Sequence, residues 1–145
     1  MHNEPLKTGD TVVFINYEWS HVSIGRELTI ARETKTMLII GIGEGERRFY
    51  KKDNSEVGGG TRHHNAARIF HTDSPEAHRA RLTVKTREAQ GEANTLARTF
   101  SQALRPTMEQ ANDLSIALDN YRAALKARDQ ITELLGAPAP AAPPQ

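Results

Sequence analysis

The chain has 145 residues, of which 37% are hydrophobic and 6% aromatic, so it favours a small domain with an appendage over one large core. It contains no cysteine, which excludes disulfides and thiolate metal sites and indicates a reducing, cytoplasmic setting. The net charge of +1, the lack of a signal-like N-terminus and the short apolar runs predict no secretion, no membrane span and no general affinity for polyanions.

Five short β-strands are predicted in residues 1–72. Runs rich in β-branched and aromatic residues cover 11–17, 26–33, 36–42, 46–51 and 67–70. Glycines and strong turn residues separate these runs. Short strands at this spacing predict a small five-stranded β-barrel, which closes on itself and so leaves no exposed edge.

A helical segment is predicted over residues 73–136. Ser74-Pro75-Glu76 combines a capping hydroxyl, a proline at the first helical position and an acid in the first turn. The first helix is therefore expected over 75–105, where Pro106 stops it. Thr107 begins a capping-box pattern, which predicts a second helix over 108–135. The remaining segment, 137–145, holds four prolines and four alanines and is expected to be a disordered tail.

The two helices are predicted to form an antiparallel hairpin, because their connection is short. Apolar and small residues recur along each helix at steps of three and four, which keeps them on one side. The predicted helix–helix seam consists of Leu82, Ala89, Ala93, Leu96 and Phe100 with Leu114, Leu118, Tyr121 and Leu125. A seam of so few large side chains buries little area. The hairpin is therefore expected to gain stability by pairing into a four-helix bundle with a second copy, by binding a protein partner or by packing on the barrel.

Strand and turn motifs carry a resemblance to known proteins. The segments KTGDTVV at 7–13, TKTMLI at 34–39, RFYKKD at 48–53 and EVG at 56–58 resemble small bacteriophage and prophage barrel proteins of unassigned function. More distantly, the opening Gly-Asp-x-Val-Val is similar to KOW and other Src-homology-3-like barrels of translation and transcription factors. The resemblance covers residues 6–72, implies an Src-homology-3-like barrel and a phage origin, and carries over no functional residue.

Basic charge is concentrated in the middle of the chain. Residues 61–105 hold 8 Lys and Arg against 4 Asp and Glu, whereas residues 1–60 hold 8 against 9 and residues 106–145 hold 3 against 5. Cations contact phosphates and aromatic rings stack on bases or dock peptides. The candidate surface for nucleic acid or a protein partner is therefore Arg62, Arg68, Arg79, Arg81, Lys85 and Arg87, with Arg47, Tyr17 and Trp19. The alternative for these residues is ordinary solvated or core side chains.

Residue patterns that are typical of catalysis are missing from the sequence. The four histidines of the basic segment, His63, His64, His71 and His78, lack the pair spacing of a zinc site, and no cysteine supports them. There is no nucleophile elbow, and Gly41-x-Gly43-x-Gly45 lacks the residues that make a phosphate loop. We therefore expect no catalytic, cofactor-binding or metal-binding residues and no enzymatic activity.

Two functions remain open at this stage. The first is a non-catalytic interaction or accessory protein, phage-encoded, with a barrel docking module and a helical oligomerisation or partner-binding element in residues 75–135. The alternative is a nucleic-acid-binding accessory protein that uses the basic segment 62–87.

Overall fold

The computed structural model describes residues 4–18, 21–42, 45–58 and 67–136. The predicted tail and the candidates Trp19 and Arg62 lie outside these residues, as do His63 and His64. The described chain falls into two compact units, of which the first ends at Ala80 and the second begins at Arg81. The boundary predicted from the sequence, after residue 72, lies just past the last strand. In the structure the boundary lies eight residues later, so the start of the first helix belongs to the strand unit.

Six antiparallel strands are found among the described residues of the first unit, in two three-stranded sheets. In chain order they are β1 Thr11–Glu18, β2 His21–Thr29, β3 Arg32–Glu33, β4 Met37–Ile42, β5 Gly45–Tyr50 and β6 Arg68–His71. The first sheet has the order β2-β1-β6 and the second has the order β3-β4-β5. The expected closed barrel of five strands is therefore not what the described residues form.

The extra strand arises where the run 26–33 was expected to continue unbroken. The chain leaves β2 at Ile30, whose N–H donates to Asp10 O at 3.0 Å, and then joins β4 through the N–H of Ala31, which donates to Ile39 O at 2.9 Å. The same run thus serves both sheets. β2 also begins five residues before the predicted strand, because the residues from His21 to Ile24 pair with the end of β1.

The main core lies between the two sheets. Strand side chains alternate between faces, so every second residue of β1, β4 and β5 points inward. The buried residues that form this core are Leu6, Val12, Phe14, Ile30, Leu38, Ile40, Phe49 and Ile69. At Ser55 and Glu56 a short segment forms one antiparallel bridge to Phe49 of β5 and another to Arg68 of β6. That segment gives the two sheets a hydrogen-bonded connection on one side.

A second, smaller core covers the opposite face of β1. Val13 and Ile15 are buried there against Ala77 and Ala80 at the start of the helix that follows β6. Ser74 caps that helix, since its hydroxyl accepts the N–H of Ala77 at 3.1 Å. The alanines have small side chains, so the first helical turns approach the sheet closely.

Two helices form the hairpin, α1 Pro75–Gln102 and α2 Met108–Leu135. The bounds of α2 and the start of α1 confirm the prediction. α1 ends three residues before the predicted end at 105, because the N–H of Ala103 donates to Phe100 O at 3.4 Å and so leaves the α-helical pattern. Thr107 and Gln110 form the expected capping box. None of the helices in the described chain combines the length and the apolar composition needed to cross a bilayer.

Candidate interaction surfaces

Small side chains occupy the buried positions of the seam between α1 and α2. Ala93 and Thr86 of α1 are buried, and so are Ala117 and Ala124 of α2. Thr86 is tolerated there because its hydroxyl donates to the carbonyl of Leu82 at 2.7 Å. The other predicted seam residues except Leu118 are half-buried; they are Leu82, Ala89, Leu96, Phe100, Leu114, Tyr121 and Leu125.

Leu118 differs from the other predicted seam residues, because 37% of its surface is exposed. One residue advances about 100° around a helix, so the buried Ala117 points toward α1 while Leu118 points to the side. Spacing alone does not separate these neighbours, since both positions continue a three-and-four pattern. The smaller side chain lies at the seam and the larger one lies beside it.

Exposed apolar side chains are concentrated on the hairpin. Within the described residues the exposed large hydrophobic side chains all belong to the second unit: Leu104 (102%), Met108 (76%), Ile116 (60%), Leu134 (86%) and, to a smaller extent, Leu118 (37%). In the first unit, by contrast, the large apolar side chains fill the two cores. A cluster of exposed apolar groups on one part of a protein is typical of an interaction surface.

A groove of about 500 Å³ runs along one side of the hairpin between the helices. Its floor is made mainly of alanines, and two acids and one lysine stand on its α1 rim. The lining residues are Leu82, Lys85, Glu88, Ala89, Glu92, Asn120, Ala123, Ala124 and Ala127. Because alanine side chains are short, the groove has room for side chains from another molecule.

Arg47, which the sequence analysis placed on the binding surface, is held inside the first unit. Its guanidinium donates to both carboxylate oxygens of Glu56, at 2.7 and 2.6 Å. The same group lies 4.1 Å from the centre of the Phe14 ring and 5.8 Å from that of Phe49. Two of its five N–H donors and one face of the guanidinium are engaged in these contacts, so Arg47 serves to tie β5 to the segment at Glu56.

The outward side of the second sheet carries further basic residues from the segment 47–52. Arg48 is exposed there, and Lys52 Nζ lies 5.2 Å from the centre of the Tyr50 ring. Neighbouring cations are paired: Arg32 contacts Glu46 at 3.0 Å and Lys51 contacts Glu33 at 3.1 Å. This face therefore offers two cations beside one aromatic ring.

The remaining basic candidates are divided between the two units. Arg68 and Arg79 belong to the first unit, and Arg81, Lys85 and Arg87 belong to the second. All of them except the half-buried Arg79 are exposed. Helical geometry directs the four that lie on α1 to different sides of its axis, so they form no single stripe. Tyr17 packs on the smaller core beside Val22 and is not a free aromatic surface.

A cavity of about 730 Å³ in the first unit is the site that sequence reasoning missed. His71 lines it, with Nε2 3.9 Å from Asp10 Oδ2, which itself accepts the N–H of Lys7 at 2.9 Å. The rest of the lining mixes both charges with apolar groups: Glu4, Pro5, Leu6, Lys7, Glu33, Leu38, Lys51, Asn54, Phe70, Ser74 and Glu76. No local motif signals this cavity, because distant parts of the chain contribute to it.

Titratable groups give little sign of chemistry in the part of the chain that the structure describes. Nowhere in that part do three His, Asp or Glu side chains converge as metal ligands would. The hydroxyl and the N–H of Ser55 donate to Asp53 Oδ1 at 2.6 and 3.0 Å and lower the pKa of that carboxyl below its usual value. Asp53 thus stabilises a turn.

No protein-family model, curated protein or solved structure matches the chain. Function is therefore argued from the surfaces described above.

Proposed function

We propose that this is a non-catalytic interaction protein whose helical hairpin associates with a protein partner or with a second copy. One observation carries the proposal: the mainly exposed large hydrophobic side chains of the described residues all lie on the hairpin. Burying such a side chain fully is worth about 1.5–3 kcal/mol. A hairpin with an alanine seam therefore gains more from association than from its own packing.

The first unit is the docking module in this proposal, and we assign it to the Src-homology-3-like type. Support comes from the sheet orders β2-β1-β6 and β3-β4-β5, from the bend at Ile30–Ala31 that takes one run of chain through both sheets, and from the bridges at Ser55 and Glu56. A phage origin and a cytoplasmic location belong to the same proposal. They are supported by the strand motifs and by the absence of cysteine.

Removing the exposed apolar groups tests the proposal. In the full chain, Met108, Ile116, Leu118 and Leu134 are replaced by glutamine, which is also a good helix former. We expect the wild type to exceed 16.1 kDa in light scattering, or to retain a host protein in a pull-down, and the variant to lose that association with unchanged helical circular dichroism. Asn112→Gln with Ser115→Gln, at exposed polar positions of α2, is the matched control.

Two results would refute the hairpin as the association element. One is a quadruple variant that associates as strongly as the wild type. The other is a wild type that stays at 16.1 kDa at every concentration and retains no protein from the host.

Nucleic-acid binding through residues 62–87 is the second candidate function. It is favoured by the exposure of Arg68, Arg81, Lys85 and Arg87 and by the outward Arg48 and Lys52. The expected observation is a mobility shift that weakens with salt, with a lower salt slope after Arg81→Gln and Lys85→Gln. Absence of any shift at low salt, with duplex and with single strands, would eliminate this candidate.

A further inference from the structure

A second stripe runs along α2 in addition to its seam with α1. Ile116, Asn120, Ala123, Ala127, Gln130 and Leu134 follow one another at alternating steps of four and three, the spacing of a coiled-coil face. This stripe lies about 100° around the helix from the buried Ala117 and Ala124. It includes three of the residues that line the groove and two of the exposed large apolar side chains.

We propose that this stripe is the interface with a second copy of the chain, in which the two α2 helices run antiparallel. This inference rests on the proposed function and names its partner. The four hairpin helices of the two copies then form a bundle in which the groove of each copy is filled by the other.

The order of large and small residues along the stripe is self-complementary. An antiparallel pairing centred between Asn120 and Ala123 puts Ile116 of one copy against Ala123 and Ala127 of the other. The same register brings Leu134, which is 86% exposed, to the level of Met108 of the second copy, which is 76% exposed. A large side chain thus meets alanines at the groove, and two exposed apolar side chains lie at the same level near the helix ends.

Charges on α1 fit the same arrangement. Lys85 and Glu92 stand seven residues apart on the groove rim, on either side of Glu88 and Ala89. When α1 pairs antiparallel with α1 of the second copy about that midpoint, Lys85 of each copy lies opposite Glu92 of the other. Since the groove sets Glu88 and Ala89 beside Asn120 and Ala123, one twofold axis serves both helix pairs.

The outer flank of α2 repeats this charge pattern. Asp119 and Lys126 are both exposed and also stand seven residues apart with opposite charges. In the antiparallel register Asp119 of one copy lies close to Lys126 of the second copy, and Lys126 of the first copy lies close to Asp119 of the second. A parallel pairing would instead set Asp119 against Asp119 and Lys126 against Lys126, and like charges there would repel.

The available area is sufficient for a stable dimer. A helix of 28 residues is about 42 Å long, and two helices side by side are about 20 Å wide. One face of the hairpin therefore offers about 800 Å² per copy, which is the usual size of a specific protein–protein interface.

Disulfide trapping tests the register, because the natural chain has no cysteine to interfere. The variant Ile116→Cys with Ala127→Cys has thiols about 16 Å apart along one helix, too far for an internal bond. We expect oxidation to give a covalent dimer that reducing agent returns to 16.1 kDa. Leu118→Cys with Asp129→Cys has the same spacing on the other side of α2, and we expect it to stay monomeric on a denaturing gel.

Light scattering tests the face and the charges in solution. We expect Ile116→Asp to give a monomer and Leu118→Asp to remain dimeric. Lys85→Glu should raise the dimer dissociation constant at least tenfold, and Lys85→Glu with Glu92→Lys should restore it, because the exchanged charges again attract. Circular dichroism checks that each variant keeps its helices.

The outcomes separate this inference from the proposed function. Trapping in the control pair alone would show that the hairpin associates through another face. A wild type that is monomeric but binds a host protein through the hairpin would refute the second copy as occupant. In both cases the hairpin would still be the association element. A dimer that survives Ile116→Asp would refute this stripe as the interface, and the quadruple glutamine variant would then show whether the hairpin associates at all.

Discussion

Arg47 and Arg48 show how alternation along one strand separates structural from exposed charge. Arg47 faces inward, where it contacts Glu56 and the Phe14 ring, whereas its neighbour Arg48 faces solvent on the outer side of the same sheet. Basic residues that follow one another on a strand therefore fall into two sets: those that face the core and bind other side chains, and those that face solvent. For Arg47, the cation holds together the parts of the chain that enclose Phe14 and Phe49.

We predict that Arg47→Gln destabilises the protein by about 1–2 kcal/mol, because it removes a bidentate ion pair and a cation–π contact that are only partly exposed. Urea unfolding measures this change. The matched control is Arg32→Gln, which breaks a bidentate contact to Glu46 at a more exposed site (57% against 36% for the arginine side chains). That loss should be below about 0.5 kcal/mol, and equal losses for both variants would contradict the structural role of Arg47.

At the scale of single elements, α2 owes its start to local chemistry. Thr107 Oγ1 accepts the N–H of Gln110 at 3.1 Å, and the Gln110 side chain accepts the N–H of Thr107 at 3.0 Å. Both contacts lie within four residues of sequence, so the start of this helix is encoded there and needs no tertiary packing.

Thr107→Ala is expected to lower the free energy of unfolding by about 1 kcal/mol, since it leaves the N–H of Gln110 without the hydroxyl that accepts it. Thermal unfolding followed at the helical circular dichroism band measures the effect. Thr99→Ala serves as the control: Thr99 is exposed within α1 and its hydroxyl bonds back to Thr95 O at 3.1 Å. That change should be neutral or slightly stabilising, and a larger loss there than at Thr107 would contradict the role of the cap.

Elements defined by local signals were predictable from the sequence, and elements defined by distant contacts were not. Pro75 and the capping box set the helix starts, and both were predicted correctly. The bend at Ile30 depends on hydrogen bonds to Asp10 and from Ala31 to Ile39, which are far away in sequence. The predicted strand over 26–33 is therefore divided between β2 and β3. Leu118 shows the same limit, because periodicity cannot tell which of two adjacent residues lies nearest to α1.

The candidate surfaces, too, were predictable only where one segment of the sequence supplies their residues. The seam of α1 was readable from spacing because one helix supplies all its residues. The groove combines Lys85 and Glu92 with Asn120 and Ala127, and the cavity beside His71 combines residues from Glu4 to Glu76. Neither has a pattern within any one segment, so neither could be found before the fold.

For the whole molecule, β1 is the element on which most of the packing converges. Val12 and Phe14 face the larger core and Val13 and Ile15 face the smaller one, and all four are buried. β1 is also the central strand of its sheet, with β2 on one side and β6 on the other. Local opening of β1 therefore disrupts both cores at once.

We predict that the amides of Val12 to Ile15 exchange most slowly in the first unit, at rates set by its global unfolding. Hydrogen exchange resolved by residue measures this. β2 lies at the edge of the same sheet, so the half of its amides that point away from β1 should exchange much faster. Equal protection of all β2 amides would show that β1 does not limit opening.

The position of β1 also has a consequence for synthesis. Phe14 of β1 pairs with Ile69 of β6, which the ribosome makes much later. At about 5–20 residues per second, this apolar strand waits several seconds for its partner. During that interval the nascent chain shows Val-Val-Phe-Ile to its surroundings, so its yield in the cell should depend on translation speed and on chaperones that shield such segments.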